Sequence, residues 1–220
     1  LYTARERMGE RLADEHPVEA DIVVPVPDSG IPAALGYART SGIPFREGMM
    51  KSRYIHRTFI QPDQSMREMG VRMKLTPLVE HLRGKRVVLV DDSIVRGTTT
   101  KQIVKLMFES GATEVHVRIT APPIKFPCFY GIDMASKGEL AAAVMTLGEL
   151  KEHIGATSLG YLSISGAAQA TGRDEDSFCL ACFDGRYPVP VPTEMEKHAF
   201  DDPPEVGEMA ALGQPRLKMA

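Results

Sequence analysis

The sequence predicts an α/β fold in which a mainly parallel, twisted sheet is flanked by helices on both faces. Two observations predict it: short β-branched runs alternate with stretches of helical periodicity, and a polar turn separates a strand from the helix after it. Strands that alternate with helices pair most economically in parallel, with right-handed connections. The 220 residues, 43% apolar and 25% charged, suffice for one domain with a core of its own.

The predicted elements begin near the start of the chain. In order they are a helix over 4–13, a strand over 21–27, a helix over 31–39, a strand over 85–90, a helix over 100–109 and a strand over 115–119. The first helix consists of good helix formers, with Met8 and Leu12 four positions apart, and it ends before His16 and Pro17.

Two strand-turn-helix units carry the remaining predictions. In the first, a β-branched run ends in the turn formed by residues 28–30. In the second, a continuous apolar strand is followed by a polar turn over 91–100 and by a helix that stops at Ser110 and Gly111. One face of that helix carries Ile103, Val104, Met107 and Phe108. Because ligands of open parallel sheets bind beyond the carboxyl ends of the strands, we expect both polar turns to meet there and form the site.

A basic segment lies between these units. Residues 51–86 hold nine Lys or Arg against three acids, and residues 52–70 show neither helical nor alternating periodicity. Long irregular loops in compact domains are commonly lids, so a flexible lid loop is predicted here. Basic residues around Tyr54 and Phe59 also fit a nucleic-acid surface, although the net charge of the chain, -3, argues against a broad one.

The two ends of the chain differ from its middle. Residues 188–220 contain six of the 16 prolines and little apolar periodicity, which predicts an extended or disordered tail after a domain over 1–187. The chain starts at Leu1, within a charged helical pattern, so it is compatible with a start inside a longer protein. Neither a membrane span nor a secretory signal is recognisable, and we expect a cytoplasmic protein.

The string VVLVDDSIVRGTT, residues 87–99, is the most specific motif. Asp91 and Asp92 can accept hydrogen bonds from vicinal hydroxyls or hold Mg²⁺. Gly97 lets backbone amides approach a phosphate, and Thr98, Thr99 and the start of the helix add donors and a favourable dipole. Together they predict a sugar-phosphate site. The plainer alternative is an exposed acidic turn capped by threonines. Neither G-x-x-x-x-G-K-[ST] nor a G-x-G-x-x-G after a strand occurs, so the usual nucleotide motifs are excluded.

Three cysteines are an odd number, which a disulfide framework cannot use completely. Two of them form the spaced pair Cys179 and Cys182, which fits half of a zinc site, a thiol redox pair or two small buried side chains.

Five segments together resemble the amidophosphoribosyltransferase family, which has the type I phosphoribosyltransferase fold. They are VPVPDSG (24–30), RTFIQPDQSMREMGVRMKL (57–75), VVLVDDSIVRGTTT (87–100), APPIKFPCFYGIDM (121–134) and CLACFDGRYP (179–188). The resemblance covers most of residues 1–188 in order. It implies the glutamine-dependent first reaction of purine synthesis.

The resemblance also implies roles for individual residues. Catalysis would fall to Asp91, Asp92, Arg72 and Lys74. Binding of phosphoribosyl pyrophosphate (PRPP) would involve Asp28, Ser29, Gly30, Ser93, Ile94, Val95, Arg96, Gly97, Thr98, Thr99, Arg53 and Arg57. Magnesium would be held at Ser29, Asp91 and Asp92, with the 5′-phosphate on residues 93–99 and the pyrophosphate against residues 27–30.

One branch of the family binds a [4Fe-4S] cluster through four cysteines. Cys128, Cys179 and Cys182 match three of those positions, and the fourth would lie upstream of Leu1, as would the glutaminase domain of the family. The chain by itself is therefore expected to use ammonia rather than glutamine. Purine nucleotide inhibitors and a homo-oligomer are further expectations from the resemblance.

Two other functions remain open from the sequence. A salvage phosphoribosyltransferase would transfer the same group to a free nucleobase, and a non-catalytic regulator would only sense PRPP. The regulator would need a DNA-binding module, and no helix-turn-helix fits the first 20 residues.

Overall fold

The structure, a computed structural model, describes residues 1–52, 75–132 and 136–190. Leu1–Val189 form one compact unit, and Pro190–Ala220 are assigned to a second one, of which only Pro190 lies within the described residues. The predicted lid over 52–70, apart from Ser52, and nearly all of the predicted tail over 188–220 therefore lie outside the described residues.

The central sheet has four parallel strands in the order β1-β4-β5-β6. A separate antiparallel pair, β2-β3, lies at the two ends of the segment 53–74. The strands are β1 Ile22–Pro25, β2 Met49–Lys51, β3 Leu75–Pro77, β4 Arg86–Asp91, β5 Glu114–Ile119 and β6 Ser158–Tyr161. The register pairs Val24 with Leu89, Leu89 with Val117 and Val117 with Leu159, so the centre of the sheet is a row of apolar residues.

Helices connect the strands and cover both faces of the sheet. They are α1 Tyr2–Glu15, α2 Ile31–Ser41, α3 Val79–Leu82, α4 Thr98–Glu109, α5 Ala141–Val144, α6 Leu147–Ile154, α7 Ile164–Thr171 and α8 Ala181–Asp184. Two short 3₁₀ turns cover Lys137–Glu139 and Glu175–Ser177.

Alternate residues of the strands supply two separate cores. Val87 and Leu89 of β4 face a cluster that contains Ile103 and Met107 of α4 together with Leu150 of α6. The intervening residues of β4 face the opposite cluster, which α1 and α2 cover with Leu12, Ala33 and Tyr37. Strands buried on both faces read as continuous apolar runs, which is why the sequence of β4 lacks polar alternation.

The six predicted elements are confirmed, with ends that differ by a few residues. The run 21–27 is strand only over Ile22–Pro25, and the helix predicted from residue 100 begins at Thr98. One detail of the predicted apolar face is wrong: Phe108 is 38% exposed, whereas Leu106 is buried. At roughly 100° per residue, Phe108 lies about 140° around the axis from Ile103, beyond the buried arc, and Leu106 lies within it.

The end of α1 is tied to the sheet through His16. Its Nε2 lies 2.8 Å from the Tyr161 carbonyl oxygen. Its own carbonyl oxygen accepts hydrogen bonds from the Tyr37 hydroxyl, at 2.9 Å, and from Nε of Arg118, at 3.0 Å. Arg118 is only 4% exposed, so these carbonyl contacts compensate part of the cost of burying its charge.

Among the helices of the described residues, none is long and apolar enough to cross a bilayer.

α1 and α2 cross in backbone contact at two glycines. A Cβ added at Gly36 would overlap the carbonyl oxygen of Glu6, and a Cβ added at Gly9 would overlap that of Ala33. Arg39 of α2 adds an ion pair to Glu10 at 3.3 Å. The position of α1 against the sheet therefore depends on the absence of two side chains.

We predict that Gly36→Ala lowers the free energy of unfolding by about 3 kcal/mol, because the overlap involves backbone atoms that cannot rotate away. Urea unfolding followed by circular dichroism measures this change. The matched control is Gly148→Ala in α6, where an added Cβ meets no atom within 4 Å, and which we expect to be neutral or slightly stabilising. Equal stability of the two variants would contradict the close crossing.

Candidate functional site

The two predicted turns meet because β1 and β4 are neighbours. Beyond the last residue of β1, the Val26 amide still donates to the Val90 carbonyl oxygen at 2.8 Å. At Gly30, the residue before α2, an added Cβ would lie 2.5 Å from that same oxygen. Glycine is thus required at position 30 for the start of α2 to pack against the end of β4. The expectation that turns 28–30 and 91–100 lie together is confirmed.

The turn after β1 carries one exposed acid and one half-buried hydroxyl. The Asp28 carboxylate forms an ion pair with Nζ of Lys51 at 2.7 Å. The peptide bond between Pro27 and Asp28 is cis. Ser29 faces the cavity described below, together with Asp92. Lys51 was not among the sequence candidates, since nothing local distinguishes it from the other basic residues of 51–86. Lys51 is the last residue of β2, where it is paired with Leu75 of β3.

The adjacent aspartates differ sharply in environment. Asp91, the last residue of β4, is 9% exposed, and its Oδ1 accepts the Asp92 amide at 2.8 Å. Burial, followed by the charge of Asp92, raises the pKa of Asp91 to about 7. Asp92 is exposed and accepts a hydrogen bond from Ser93 Oγ at 3.2 Å. The sequence led us to expect two open carboxylates, and the structure shows one.

No Lys or Arg of the described residues pairs with either aspartate. Two adjacent carboxylates without a cation, one of them buried, form a site where a divalent cation is electrostatically favoured. The oxygen donors of Asp91, Asp92 and Ser29 are of the type that Mg²⁺ prefers. The residues therefore fit the predicted magnesium in kind and charge.

The loop after the aspartates presents a row of free amides. Within the described part of the chain, the amides of residues 93–100 donate no hydrogen bond to another group. The chain turns at Gly97 with φ of +78°, a conformation that side chains rarely adopt, and enters α4. Free amides at a loop that leads into a helix form a binding site for an anion such as phosphate.

The side chains of this loop point in different directions. Ile94 is 2% exposed and belongs to the core under α4, so only its backbone is available to a ligand. Val95 packs against Ile124 and Leu140. The Arg96 guanidinium lies 3.1 Å from Glu139, whereas Thr98 and Thr99 are exposed at the start of α4.

The end of β5 completes the rim, and the sequence analysis missed it. The Thr120 amide donates to the Asp91 carbonyl oxygen at 3.1 Å, and the Ala121 amide donates to that of Asp92 at 2.8 Å. Because β5 is parallel to β4, its carboxyl end had to reach the same edge, so the predicted topology itself contained this signal.

A cavity of about 320 Å³ opens beside these strand ends. Its polar margin includes Ser29, Asp92 and Thr120, and α1, α2, α7 and the segment 178–183 supply most of the remaining wall. Phe178, Leu180 and Phe183 make the wall of that segment largely apolar. A ligand bound at the strand ends would therefore extend from the polar margin of the cavity towards its apolar wall.

All three cysteines are free thiols. Cys179 is exposed and borders the cavity, whereas Cys128 and Cys182 are half-buried. The Cys182 carbonyl oxygen accepts the amides of Lys125 and Phe126, at 2.9 and 3.1 Å, which joins the two cysteine-bearing segments. Burial raises the pKa of Cys182, and the charges of Cys128 and Cys179 act in the same direction.

The thiols are thus grouped without converging on one point. In the ranges 1–52, 75–132 and 136–190, no three His, Cys, Asp or Glu side chains could hold a single metal ion. A cubane cluster binds one thiolate at each iron and prefers soft sulfur ligands, so the donors fit it in kind. The sequence contains three cysteines, one fewer than the four thiolates of such a cluster.

Four predicted contact residues belong to the segment 53–74. Arg53, Arg57, Arg72 and Lys74 lie outside the described residues. Their predicted roles stay predictions.

Comparison with known proteins assigns the chain to a family. Residues 3–122, more than half of the chain, match the model of the phosphoribosyl transferase domain. The chain belongs to this family. The predicted type I phosphoribosyltransferase fold is thereby confirmed, with its parallel sheet and flanking helices.

Similar proteins agree with the sequence resemblance. The amidophosphoribosyltransferase of Synechocystis is 57% identical over 197 residues, which are 90% of this chain and 40% of that protein. The amidophosphoribosyltransferase of Mycobacterium tuberculosis is 51% identical over 199 residues, which are 88% of this chain and 38% of that protein.

Among solved structures, glutamine PRPP amidotransferase from B. subtilis, complexed with ADP and GMP, matches with a TM-score of 0.80 and 50% identity. The match covers 89% of this chain and 44% of that one. The chain thus spans about two fifths of the length of these relatives.

We predict that Asp91 makes the stability of the chain pH-dependent in Mg²⁺-free buffer. An unfolded aspartate titrates near 3.8 and Asp91 near 7, so between these values the folded state binds more protons than the unfolded state. The free energy of unfolding should therefore fall as pH rises across this window, by up to about 1.4 kcal/mol per pH unit. Urea unfolding of wild type and Asp91→Asn at pH 4, 5.5, 7 and 8 measures the difference.

The variant should lack this component and should exceed wild type in stability at pH 8. An unchanged difference between the two proteins from pH 4 to pH 8 would show that folding does not raise the pKa of Asp91.

Proposed function

We propose that this chain is the phosphoribosyl-transferring part of an amidophosphoribosyltransferase. It would transfer the 5-phosphoribosyl group of PRPP to ammonia, release pyrophosphate and form 5-phosphoribosylamine, the first step of purine synthesis. The observation that carries the proposal is the row of free amides at residues 93–100 beside an aspartate pair that lacks a cationic partner among the described residues. More than 50% identity to amidophosphoribosyltransferases supports the choice of acceptor.

The 5′-phosphate would bind on residues 93–99. The amides of Ser93, Ile94 and Val95 and those around Gly97 can donate to its oxygens, and the positive end of α4 favours a dianion. The hydroxyls of Thr98 and Thr99 are exposed at the same place and can add two donors.

The ribose would lie over the aspartates. The exposed Asp92 carboxylate can accept hydrogen bonds from both hydroxyls of the diol, and Asp91 beneath it holds the Asp92 backbone through the 2.8 Å contact to its amide. Ser29, Asp91 and Asp92 would hold Mg²⁺, which when bound would neutralise negative charge on the leaving pyrophosphate. Because only the ionised form of Asp91 can take part, magnesium binding should release a proton at neutral pH.

The pyrophosphate would lie against residues 28–30. Lys51 reaches this turn and would exchange its contact with Asp28 for one with the departing anion. Rupture of the C1–O bond leaves oxocarbenium character on the sugar, so cations near the leaving group lower the barrier. Arg53, Arg57, Arg72 and Lys74 are proposed as further cations of this kind, on a lid that excludes water.

The cavity wall formed by Phe178, Leu180 and Phe183 offers few hydrogen bonds to water. Such a wall suits a nucleobase as well as ammonia, since ligand pockets are lined mostly by apolar side chains. The identity to amidophosphoribosyltransferases is therefore what favours ammonia over the salvage alternative.

Further properties of the longer relatives are part of the proposal. Glutamine use would require the portion of those proteins that this chain does not span. The B. subtilis relative is complexed with ADP and GMP, which supports purine nucleotide binding by a protein that contains this chain. Inhibition by these nucleotides stays a prediction from the sequence. Assembly into a homo-oligomer and a cytoplasmic location stay predictions from the sequence.

We predict that the chain releases pyrophosphate from PRPP in the presence of Mg²⁺ and ammonium, and that Asp91→Asn with Asp92→Asn lowers kcat/KM at least 100-fold. The double variant removes the diol acceptors and the magnesium site together, so transition-state contacts are lost. A coupled pyrophosphate assay measures the rate, and mass spectrometry identifies the product. A product with a free purine or pyrimidine base, and none with ammonium, would favour the salvage enzyme.

The control is the double variant Asp14→Asn, Glu19→Gln, which removes two charges from exposed positions outside the site. It should retain wild-type activity. Equal rates for the two double variants would contradict the assigned site. DNA binding that responds to PRPP, without any turnover, would favour the regulator.

We also predict that anaerobic incubation with iron and sulfide loads the chain with a [4Fe-4S] cluster at less than full occupancy, because three thiolates are available. Cys182→Ala should reduce the bound iron and acid-labile sulfide further, since it removes one of the three thiolates and leaves the backbone carbonyl bonds between the two cysteine segments intact. Iron, sulfide and zinc contents are measured on the same samples. Zinc binding without iron and sulfide would instead support half of a zinc site.

A further inference from the structure

The outer side of the phosphate-binding loop, residues 93–99, contacts a second short segment. The Ala141 amide donates to the Val95 carbonyl oxygen at 2.8 Å. Leu140 is fully buried and packs with Val95 and Ile124 in a small apolar cluster. Residues 136–141 therefore support the carbonyl side of the loop, while the loop amides donate to no group within the described ranges of the chain.

Glu139 joins this segment to Arg96. Its Oε1 accepts from Nε and from Nη2 of Arg96, both at 3.1 Å. Its Oε2 accepts from the Ser136 amide at 3.2 Å and from Ser136 Oγ at 3.1 Å. These bonds, those of Ser136 foremost, lower the pKa of Glu139, so the carboxylate is ionised at neutral pH. Four donors fix its orientation.

Arg96 directly precedes Gly97, so its contact with Glu139 bears on the backbone of the phosphate-binding loop. Gly97 has φ of +78°, and glycine by itself does not restrict the backbone to that conformation. The peptide between these residues belongs to the row of free amides. Its orientation must therefore be set by contacts of the neighbouring residues, and the guanidinium held by Glu139 is one of them.

We propose that Glu139 is a positioning residue of the phosphate-binding loop. By holding Arg96 from the outer side, it keeps the amides of residues 93–97 directed at the phosphate of a phosphorylated sugar. The inference rests on the proposed function for the identity of the ligand. The two hydrogen bonds from Ser136 orient the Glu139 carboxylate towards Arg96.

The test is the variant Glu139→Gln, examined with two probes that occupy different parts of the proposed site. Ribose 5-phosphate reports on the phosphate loop, and magnesium pyrophosphate reports on the turn at residues 28–30. Calorimetry should show a three- to fivefold weaker affinity for ribose 5-phosphate, the size expected when an exposed ion pair is lost. Affinity for magnesium pyrophosphate should be unchanged. In turnover, KM for PRPP should rise by the same factor while kcat is retained.

The matched control is Glu149→Gln. Glu149 accepts the same kind of bonds at the start of α6, from the Thr146 amide and hydroxyl, both at 2.8 Å. Among the described residues, none of its hydrogen bonds reaches the phosphate-binding loop. This variant should bind both probes like wild type. A difference between the two Gln variants therefore reports on the Arg96 contact rather than on helix capping.

A double-mutant cycle tests whether Glu139 acts through Arg96. If it does, Glu139→Gln added to Arg96→Gln should cause no further loss of ribose 5-phosphate affinity. Additive losses would overturn the proposal, as would equal weakening of both probes with a lower melting temperature, which indicates a merely structural role. Glu139→Gln with wild-type affinity for ribose 5-phosphate would also overturn it.

Failure of the proposed function is distinguishable from these outcomes. Wild-type chain that binds ribose 5-phosphate but releases no pyrophosphate from PRPP would contradict the function, while the binding comparison would still decide the role of Glu139. Wild-type chain that does not bind ribose 5-phosphate would contradict both.

Discussion

The site depends on the parallel pairing of β1 with β4. This pairing brings the ends of two strands separated by more than 60 residues of chain to one edge, where the Val26 amide meets the Val90 carbonyl oxygen. The same register decides which side chains are buried, because a slip by one residue would turn Val88 and Val90 from the α1 side of the sheet to the α4 side. Close packing at Gly30 then leaves little freedom for the start of α2.

Opposite electrostatic demands are met within a few residues of each other. The amides of residues 93–100 attract an anion, whereas Asp91 and Asp92 repel one. Both can serve a single ligand only if its phosphate and its hydroxyl groups are separated along its length, as they are in a phosphorylated pentose. The raised pKa of Asp91 expresses the cost of keeping an acid buried at this position, a cost that apolar packing would avoid. Such a position is better explained by ligand binding than by folding.

The sequence predicted the parts of the fold whose patterns are local. The apolar run of β4 and the Asp-Asp turn are examples, and the proximity of the turns 28–30 and 91–100 was predicted from them. By contrast, β6 was not predicted, because Ser158–Tyr161 contains Gly160 and has no long apolar run. Its strand is defined by pairing with β5, and the His16 ring packs beside Gly160. The burial of Asp91, the contact of Lys51 with Asp28 and that of Arg96 with Glu139 also depend on residues distant in sequence.

The phosphate-binding loop, residues 93–99, packs against two different apolar clusters. On the side of the sheet, Ile94 belongs to the large core that also contains Ile103. On the outer side, the loop packs on a small cluster of two buried residues, Ile124 and Leu140, with half-buried neighbours. So small a cluster opens more readily than the sheet, since little apolar area holds it together. Cys182 packs against this cluster, and its carbonyl oxygen holds the segment that follows Ile124. Contacts that restrain the cysteine segments therefore also restrain the wall against which the phosphate-binding loop rests.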